Sequence, residues 1–321
     1  MRPLLFCALL ALCLPAPALA GRKVTAFYYP WYGTAARDGS FAHWAQRDHA
    51  PPNDIASAYY PARGLYSSSD RLVLGAQMDD VARAGIDEIA VSWWGRGSRE
   101  DALLPGVVQA ARRVGISVAA QLEPYGGRTV AGTVADIAYL RTVGITTFYV
   151  YRALDLPVDE WAAANDELQG VEVLAQTALV GAAAAGHFDG VYTYDIVTYG
   201  GNTFARLCDE AHRLNLECAP SVGPGYDARR GSGDPRVKPR RNGETYDSMW
   251  RAAVDAHADD VTITSYNEWH EGTQIEAALG CRKGRYRYAS YDGAWGRRGA
   301  DAATAYLDRT GYWADVFRKT G

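Results

Sequence analysis

Three times in the first half of this chain a helix-like segment meets a glycine and then an isoleucine that opens an apolar run. The sites are Ala84-Gly85-Ile86, Val114-Gly115-Ile116 and Val143-Gly144-Ile145. Glycine tolerates the left-handed backbone that stops a helix, and the β-branched residue after it favours a strand. β-Branched apolar runs give eight strand candidates: Val24–Tyr29, Asp87–Trp93, Ile116–Leu122, Thr146–Tyr151, Val171–Gln176, Gly190–Tyr194, Leu216–Ser221 and Val261–Tyr266. Helix-like segments separate them at Ser69–Ala84, Glu100–Arg113, Thr133–Val143, Val158–Leu168, Leu179–Ala185, Thr203–Leu214 and Thr245–His257, and Ala300–Arg318 closes the series. Eight strand-then-helix units predict an α/β fold, a (β/α)8 TIM barrel. A doubly wound sheet is the alternative, but no Gly-x-Gly-x-x-Gly follows the first strand. No long Ser/Gly/Pro linker divides the chain, so residues 21–321 are expected to form one (β/α)8 domain. The Pro30–Ser68 and Gly223–Asn242 stretches read as loops over the barrel mouth.

The start of the chain reads differently. Met1-Arg2, the apolar run Leu4 to Leu14, and Ala18-Leu19-Ala20 have the three parts of a secretory signal peptide, predicted for residues 1–20. The run is short for a membrane span, which makes an uncleaved signal anchor the weaker alternative. A secreted or lumenal protein is expected. Cys208, Cys218 and Cys281 remain beyond the leader, an odd number without metal-ligand spacing, and buried free thiols are the expectation for Cys208 and Cys218. A net charge of −4 with both signs interspersed argues against nucleic acid or an anionic membrane as partner. A monomer is expected. Tyrosine (21) and tryptophan (9) outnumber phenylalanine (7), which suggests exposed stacking surfaces as in a carbohydrate cleft.

In such barrels chemistry sits where strands end. Those exits read Tyr28-Tyr29-Pro30-Trp31-Tyr32, Trp93-Trp94, Glu123-Pro124-Tyr125, Tyr149-Val150-Tyr151, Tyr192-Thr193-Tyr194-Asp195, Gly225-Tyr226 and Asn267-Glu268-Trp269-His270-Glu271. Two carboxylates three residues apart, among aromatics, fit glycosidic-bond cleavage: one proton donor and one base or nucleophile. Neighbouring like charges should push their pKa values apart, leaving one protonated and one ionised. The bland reading of an isolated Glu-x-x-Glu is the first turn of a helix, with Glu favouring the dipole.

Tyr28-Tyr29-Pro30-Trp31-Tyr32-Gly33, Ser92-Trp93-Trp94-Gly95, Leu122-Glu123-Pro124-Tyr125, Phe188-Asp189-Gly190, Pro220-Ser221-Val222-Gly223-Pro224-Gly225-Tyr226 and Tyr266-Asn267-Glu268-Trp269-His270-Glu271-Gly272-Thr273-Gln274-Ile275-Glu276 together resemble glycoside hydrolase family 99. That family comprises endo-α-1,2-mannosidases and endo-α-1,2-mannanases. The resemblance implies a retaining endo-acting enzyme on a mannose-containing N-glycan or mannan, with no metal and no cofactor. It gives Glu271 the acid/base role. It makes Glu268 the base on the substrate's own 2-hydroxyl, through a 1,2-anhydro-sugar intermediate.

Tyr29, Trp31, Trp93 and Trp94 are candidate stacking platforms, although alternation along a strand sends one of Trp93 and Trp94 away from the axis. Glu123 is read as a ligand for sugar hydroxyls or for His270, or as a salt-bridge partner of Arg128. Tyr125, Tyr194, Tyr226 and Asn267 complete the substrate-binding candidates, and His270 is expected to orient the carboxylates or bind sugar. Arg229, Arg230, Arg236, Lys238, Arg240 and Arg241 read as a solvated loop, with one Arg reaching the sugar chain as the alternative. Two departures from the family pattern fall near sugar subsites: Gln121 where His is usual, and Tyr151-Arg152-Ala153-Leu154 after the fourth strand. These encourage one alternative, a sugar-binding homologue without turnover; an α-glucanase of related barrel type is a further alternative among enzymes. Loops on both sides of the carboxylates predict an open cleft with at least two sugar subsites.

Overall fold

The computed structural model describes residues 22–320, so the expected signal peptide lies outside the described residues. The strands are β1 (Val24–Tyr28), β2 (Glu88–Trp93), β3 (Ser117–Leu122), β4 (Thr147–Val150), β5 (Glu172–Gln176), β6 (Gly190–Tyr192), β7 (Glu217–Ala219) and β8 (Ser221–Val222). A ribbon of β9 (Tyr226–Asp227) and β10 (Val237–Lys238) precedes the last barrel strand, β11 (Val261–Ile263). All barrel pairings are parallel, in the order β7-β6-β5-β4-β3-β2-β1-β11-β8.

The ring closes through an interrupted strand. β7 pairs with β6, and β8, one residue further on, pairs with β11. Pro220 lies between them; it has no N–H to offer, but its carbonyl still accepts from Thr262 N at 3.1 Å. β7 and β8 are therefore successive stretches of one strand position, and eight positions complete the (β/α)8 barrel.

Helices α2 (Arg71–Arg83), α3 (Arg99–Arg113) and α4 (Val130–Arg141) follow the short α1 (Ala35–Asp38). Asp70, Ser98 and Thr129 cap them by accepting from Leu72, Asp101 and Gly132 backbone N–H groups. Gly85, Gly115 and Gly144 end them at φ of 66°, 77° and 88°, the backbone the sequence motif demands. α5 (Val158–Glu167), α6 (Val180–Ala185), α7 (Phe204–Arg213), α8 (Glu244–Asp255) and α9 (Ala305–Lys319) complete the outer layer. α9 starts five residues later than expected. Its approach is a 3-10 turn, Gly299–Ala302, and the Ala303 carbonyl is drawn off to Ala278 N at 3.2 Å. No helix among the described residues is long and apolar enough to cross a membrane.

The tyrosine excess has a different meaning from the one composition suggested. Tyr28, Tyr32, Tyr149, Tyr192, Tyr246, Tyr266 and Tyr306 are among the most deeply buried side chains. Phe27, Tyr149 and Tyr192 fill the barrel with centroids 5.1–5.7 Å apart. Several phenols act as internal struts: Tyr28 donates to Gln77 at 2.6 Å, Tyr149 to Thr25 at 3.3 Å and Tyr32 to the Asn267 carbonyl at 3.0 Å. Tyr28, Tyr32 and Tyr149 thus combine apolar bodies with a hydroxyl that finds an interior partner, whereas the Tyr192 and Tyr266 hydroxyls have none.

Two further expectations are corrected. Cys208 on α7 and Cys218 on β7 form a disulfide, because α7 packs back onto the strand it feeds and brings the two Cα atoms to 5.1 Å. The basic stretch of the seventh loop is not simply solvated. Arg240 is buried beneath the rings of Tyr59, Tyr291 and Tyr306 and donates to the carbonyls of Gly272 and Gln274 at 2.8 and 2.7 Å. Arg230 reaches the first loop, donating to the Ser57 and Ile55 carbonyls. Replacing Cys208 and Cys218 together with alanine should lower stability by about 2–3 kcal/mol, the chain-entropy value for a loop of this length. Urea unfolding of both forms under non-reducing conditions checks this.

Candidate active site

Beyond β11 the chain forms a pinched loop. Ser265 N donates to the Thr273 carbonyl at 3.0 Å, and Ile275 N returns to the Ser265 carbonyl at 2.9 Å. Ser265 Oγ also accepts from Glu268 N at 2.8 Å, which turns the chain inward at the first carboxylate. Asn267 splices this loop to the end of β1: its side chain accepts from Tyr29 N at 2.8 Å and donates to the Tyr29 carbonyl at 3.0 Å. Trp269 points away from the cleft and donates to Glu276 at 3.0 Å and Tyr66 at 3.1 Å. His270 supports Glu268 from behind. Its backbone N–H donates to Glu268 Oε1 at 3.0 Å, its Nδ1 lies 3.3 Å from the same oxygen, and its Nε2 meets the His43 carbonyl. Gly231 lets the seventh loop lie against His270, where an added Cβ would sit 2.3 Å from the His270 carbonyl oxygen.

Glu268 and Glu271 open onto one cavity of about 160 Å³, lined also by Tyr29, Trp31, Trp94, Gln121, Glu123, Pro124, Tyr151 and Tyr194. A smaller lobe of about 60 Å³ adjoins it, between Asp195, Ile196, Tyr226, Arg236, Thr264 and Thr273. Tyr151, Tyr194 and Glu271 belong to both lobes, which places Glu271 at the seam. A larger cavity, about 530 Å³, lies at the opposite end of the barrel around Lys23, Arg112 and Thr147. It faces the strand starts, away from these carboxylates.

Most of the predicted residues converge on the cleft, and some do not. Tyr29, Trp31, Trp94, Glu123, Tyr194, Glu268 and Glu271 line the larger lobe and Tyr226 the smaller. Trp93 lies on the outer face of β2, fully buried, donating to Asp101 at 3.0 Å. Tyr125 turns outward to bond Asp136 on α4. Asn267 and His270 stand behind the lining as described. Trp31 is no stacking platform, because His43 covers one face at 4.4 Å and the Tyr29 ring lies 4.7 Å away. Glu123 meets neither His270 nor Arg128. It accepts from Ser92 Oγ at 2.8 Å, while Arg128 donates to the carbonyls of Leu122, Tyr151 and Arg152. Tyr151 and Asp195 are lining residues that the choice of candidates omitted, although both stand at strand exits.

Burial, then the charge of Glu268 and the more distant Asp195 and Glu123, push the Glu271 carboxyl up to about 8, with the Tyr194 hydroxyl at 3.4 Å partly opposing. Burial first, with Glu268 adding to it, pushes Glu123 up to about 8 as well, against the Ser92 hydrogen bond. Burial, with His270 and Arg99, holds His43 down at about 3, so its ring is neutral and adds no compensating positive charge.

A cleft with a neutral carboxylic acid between two lobes is suited to protonating a bridging oxygen. The family model described as glycosyl hydrolase family 99 matches residues 20–319. The chain belongs to glycosyl hydrolase family 99. It is accordingly a glycoside hydrolase. A Danio rerio glycoprotein endo-alpha-1,2-mannosidase-like protein is 31% identical, over 91% of this chain and 78% of that protein. The Mus musculus glycoprotein endo-alpha-1,2-mannosidase is 30% identical, over 92% and 74%. The solved structure of the GH99 endo-alpha-mannosidase from Bacteroides thetaiotaomicron in complex with bis-tris-propane superposes with a TM-score of 0.83 at 29% identity, covering 93% of this chain and 98% of that one.

In this family 99 hydrolase the raised Glu271 pKa carries a stability consequence. A carboxyl that holds its proton to about pH 8 when folded, against an ordinary 4.5, leaves the folded form binding more protons between those values. Its contribution is complete below pH 4.5 and is lost as pH rises through about 8. Glu271→Gln removes that loss, so the variant should melt at a higher temperature than the parent at pH 8 and show a smaller advantage at pH 4.5. Thermal melts across this range check the sign.

Proposed function

We propose that this chain is a retaining, endo-acting α-mannosidase that cleaves internal α-1,2-mannosidic bonds of N-glycans or mannans. The observation that carries the reading is Glu271, a carboxyl pushed up to about 8 at the seam of two lobes. A proton donor belongs where the bond between two sugar units must lie. The names of the relatives and the solved structure support α-mannosyl substrates. The family resemblance supplies the route.

In the first step Glu271 gives its proton to the glycosidic oxygen as the bond to C1 breaks. Glu268 takes the proton of the 2-hydroxyl, and that oxygen closes on C1 to give a 1,2-anhydro sugar. Water then attacks C1 and passes a proton to Glu271, while O2 recovers its proton from Glu268. Two inversions at C1 give net retention. The two contacts from His270 fix Glu268 in orientation, and the Tyr29–Tyr194 hydroxyl pair leads to Glu271. Tyr151, Tyr194, Tyr226, Trp94 and Glu123 are proposed to hold the sugars on either side. An exported protein, secreted or lumenal, is supported by the Cys208–Cys218 disulfide, a bond favoured in oxidising compartments.

Glu271→Gln should cut turnover of α-1,2-mannan by about 10²–10⁴-fold, the range for a lost general acid. The parent's kcat/KM should fall as pH rises through about 8, as Glu271 loses the proton it must donate. Glu123 titrates in the same range, so Glu123→Gln separates the two, and the alkaline limb should persist in that variant. Mass spectrometry of the first products should show a disaccharide or longer species. Free mannose as the sole initial product would remove the endo reading.

A further inference from the structure

We propose that Gln121, resting on the α-mannosidase reading above, is a sugar-contacting residue at the floor of the larger lobe. Its carboxamide accepts a hydrogen bond from a hydroxyl at C3, C4 or C6 of the sugar whose glycosidic bond is broken. Gln121 is only 1% exposed, lines the lobe that contains Glu268 and Glu271, and its Oε1 has no hydrogen-bond partner. A buried carbonyl without a donor costs about 1–3 kcal/mol; among the described residues, it and Trp31 Nε1 are the unpartnered buried polar atoms on side chains that line this lobe.

The surroundings explain why no internal donor serves it. On β3, Gln121 and Glu123 share the face toward the barrel axis, with Gln121 two residues deeper. In register beside it stand Ser92 on β2 and Tyr149 on β4. Ser92 Oγ is committed, accepting from Trp94 Nε1 at 3.1 Å and donating to Glu123 at 2.8 Å. The Tyr149 hydroxyl is committed to Thr25. With both neighbours engaged, the carbonyl has no donor among the described residues, and its side chain lines the lobe that holds Glu268 and Glu271. The 2-hydroxyl is consumed by the chemistry at Glu268, so the remaining ring hydroxyls are its partners. A neutral amide also suits this depth. A carboxylate there would crowd a further acid beside Glu123, Glu268 and Glu271, and an ammonium would favour the ionised form of the acid that must keep its proton.

The test uses Gln121→Leu, which keeps the bulk and removes the polar atoms. The probes are α-1,2-mannotetraose and its 3-deoxy, 4-deoxy and 6-deoxy forms at the sugar that is attacked. The variant should melt at the parent's temperature or above, because an unpaired acceptor has gone. Its kcat/KM on the full substrate should fall about ten-fold, a lost neutral hydrogen bond. One deoxy analogue should be disfavoured about ten-fold by the parent and not at all by Gln121→Leu. Equal discrimination by both proteins overturns the proposal. So does a fall in melting temperature without loss of discrimination, which would assign the amide to an internal water bridge. If the parent neither cleaves nor binds the tetraose, the α-mannosidase reading itself fails, and this inference falls with it.

Discussion

A single buried carboxylate organises the region on which the cleft depends. Glu276 has no exposed surface, and each of its oxygens is held twice. Arg63 and Gln77 donate to Oε1 at 2.9 Å each, and Tyr66 and Trp269 donate to Oε2 at 2.8 and 3.0 Å. A charge placed at that depth is tolerable only with such a complement of donors. The donors come from the first loop, from α2 and from the active-site loop itself. Meeting the needs of one carboxylate therefore fixes three separate segments against each other. Trp269, which lies between the two cleft carboxylates in sequence, is drawn inward by the same bonds, and its neighbours are turned the other way.

The cleft above that anchor is arranged by the opposite logic. Burial pushes the Glu276 carboxyl up as well, but Arg63, Gln77, Tyr66 and Trp269 all oppose the shift, whereas burial and the charge of Glu268 leave Glu123 and Glu271 holding their protons to about pH 8. Arginines stand near the cleft but are engaged elsewhere: Arg128 serves carbonyls, Arg240 lies beneath three tyrosine rings, and Arg236, which lines the smaller lobe, pairs with Asp234 and Asp195. Neutralising cations are thus kept from Glu271 by prior commitments. The fold sacrifices local electrostatic comfort at the cleft and recovers stability in the surrounding network.

The barrel was legible because its signals are local. Helix, glycine and β-branched residue recur in sequence, and each is read within a few positions. The break at Pro220 was less visible, since its meaning depends on β6 and β11, which pair with the two halves of the strand. Carboxylates at a strand exit were equally legible, and Glu268 and Glu271 do open on one cavity. Side-chain direction was not. Trp93 and Tyr125 turn outward, Trp31 is covered by a histidine from further along its own loop, and Glu123 is claimed by Ser92 on the neighbouring strand. Each outcome depends on a partner on another element, whose placement is set only once the strands and helices have packed. The tyrosine count misled for the same reason, because composition records rings without saying whether a hydroxyl meets water or an interior acceptor.

The covering of Trp31 has a wider consequence for recognition. Tyr29, Tyr194 and Tyr226 are nearly inaccessible, and Trp94, 39% exposed, is the large aromatic ring of the cleft that remains broadly open. A sugar entering here meets edges, phenols, carboxyls and an amide far more than flat apolar faces. Selection then rests on the stereochemistry of hydroxyl-bearing carbons, where one inverted centre strands a buried polar group. With little apolar area to seal on binding, the expected signature of complex formation is a small heat-capacity change and an enthalpic driving force. Such a cleft tells epimers apart better than it holds any of them.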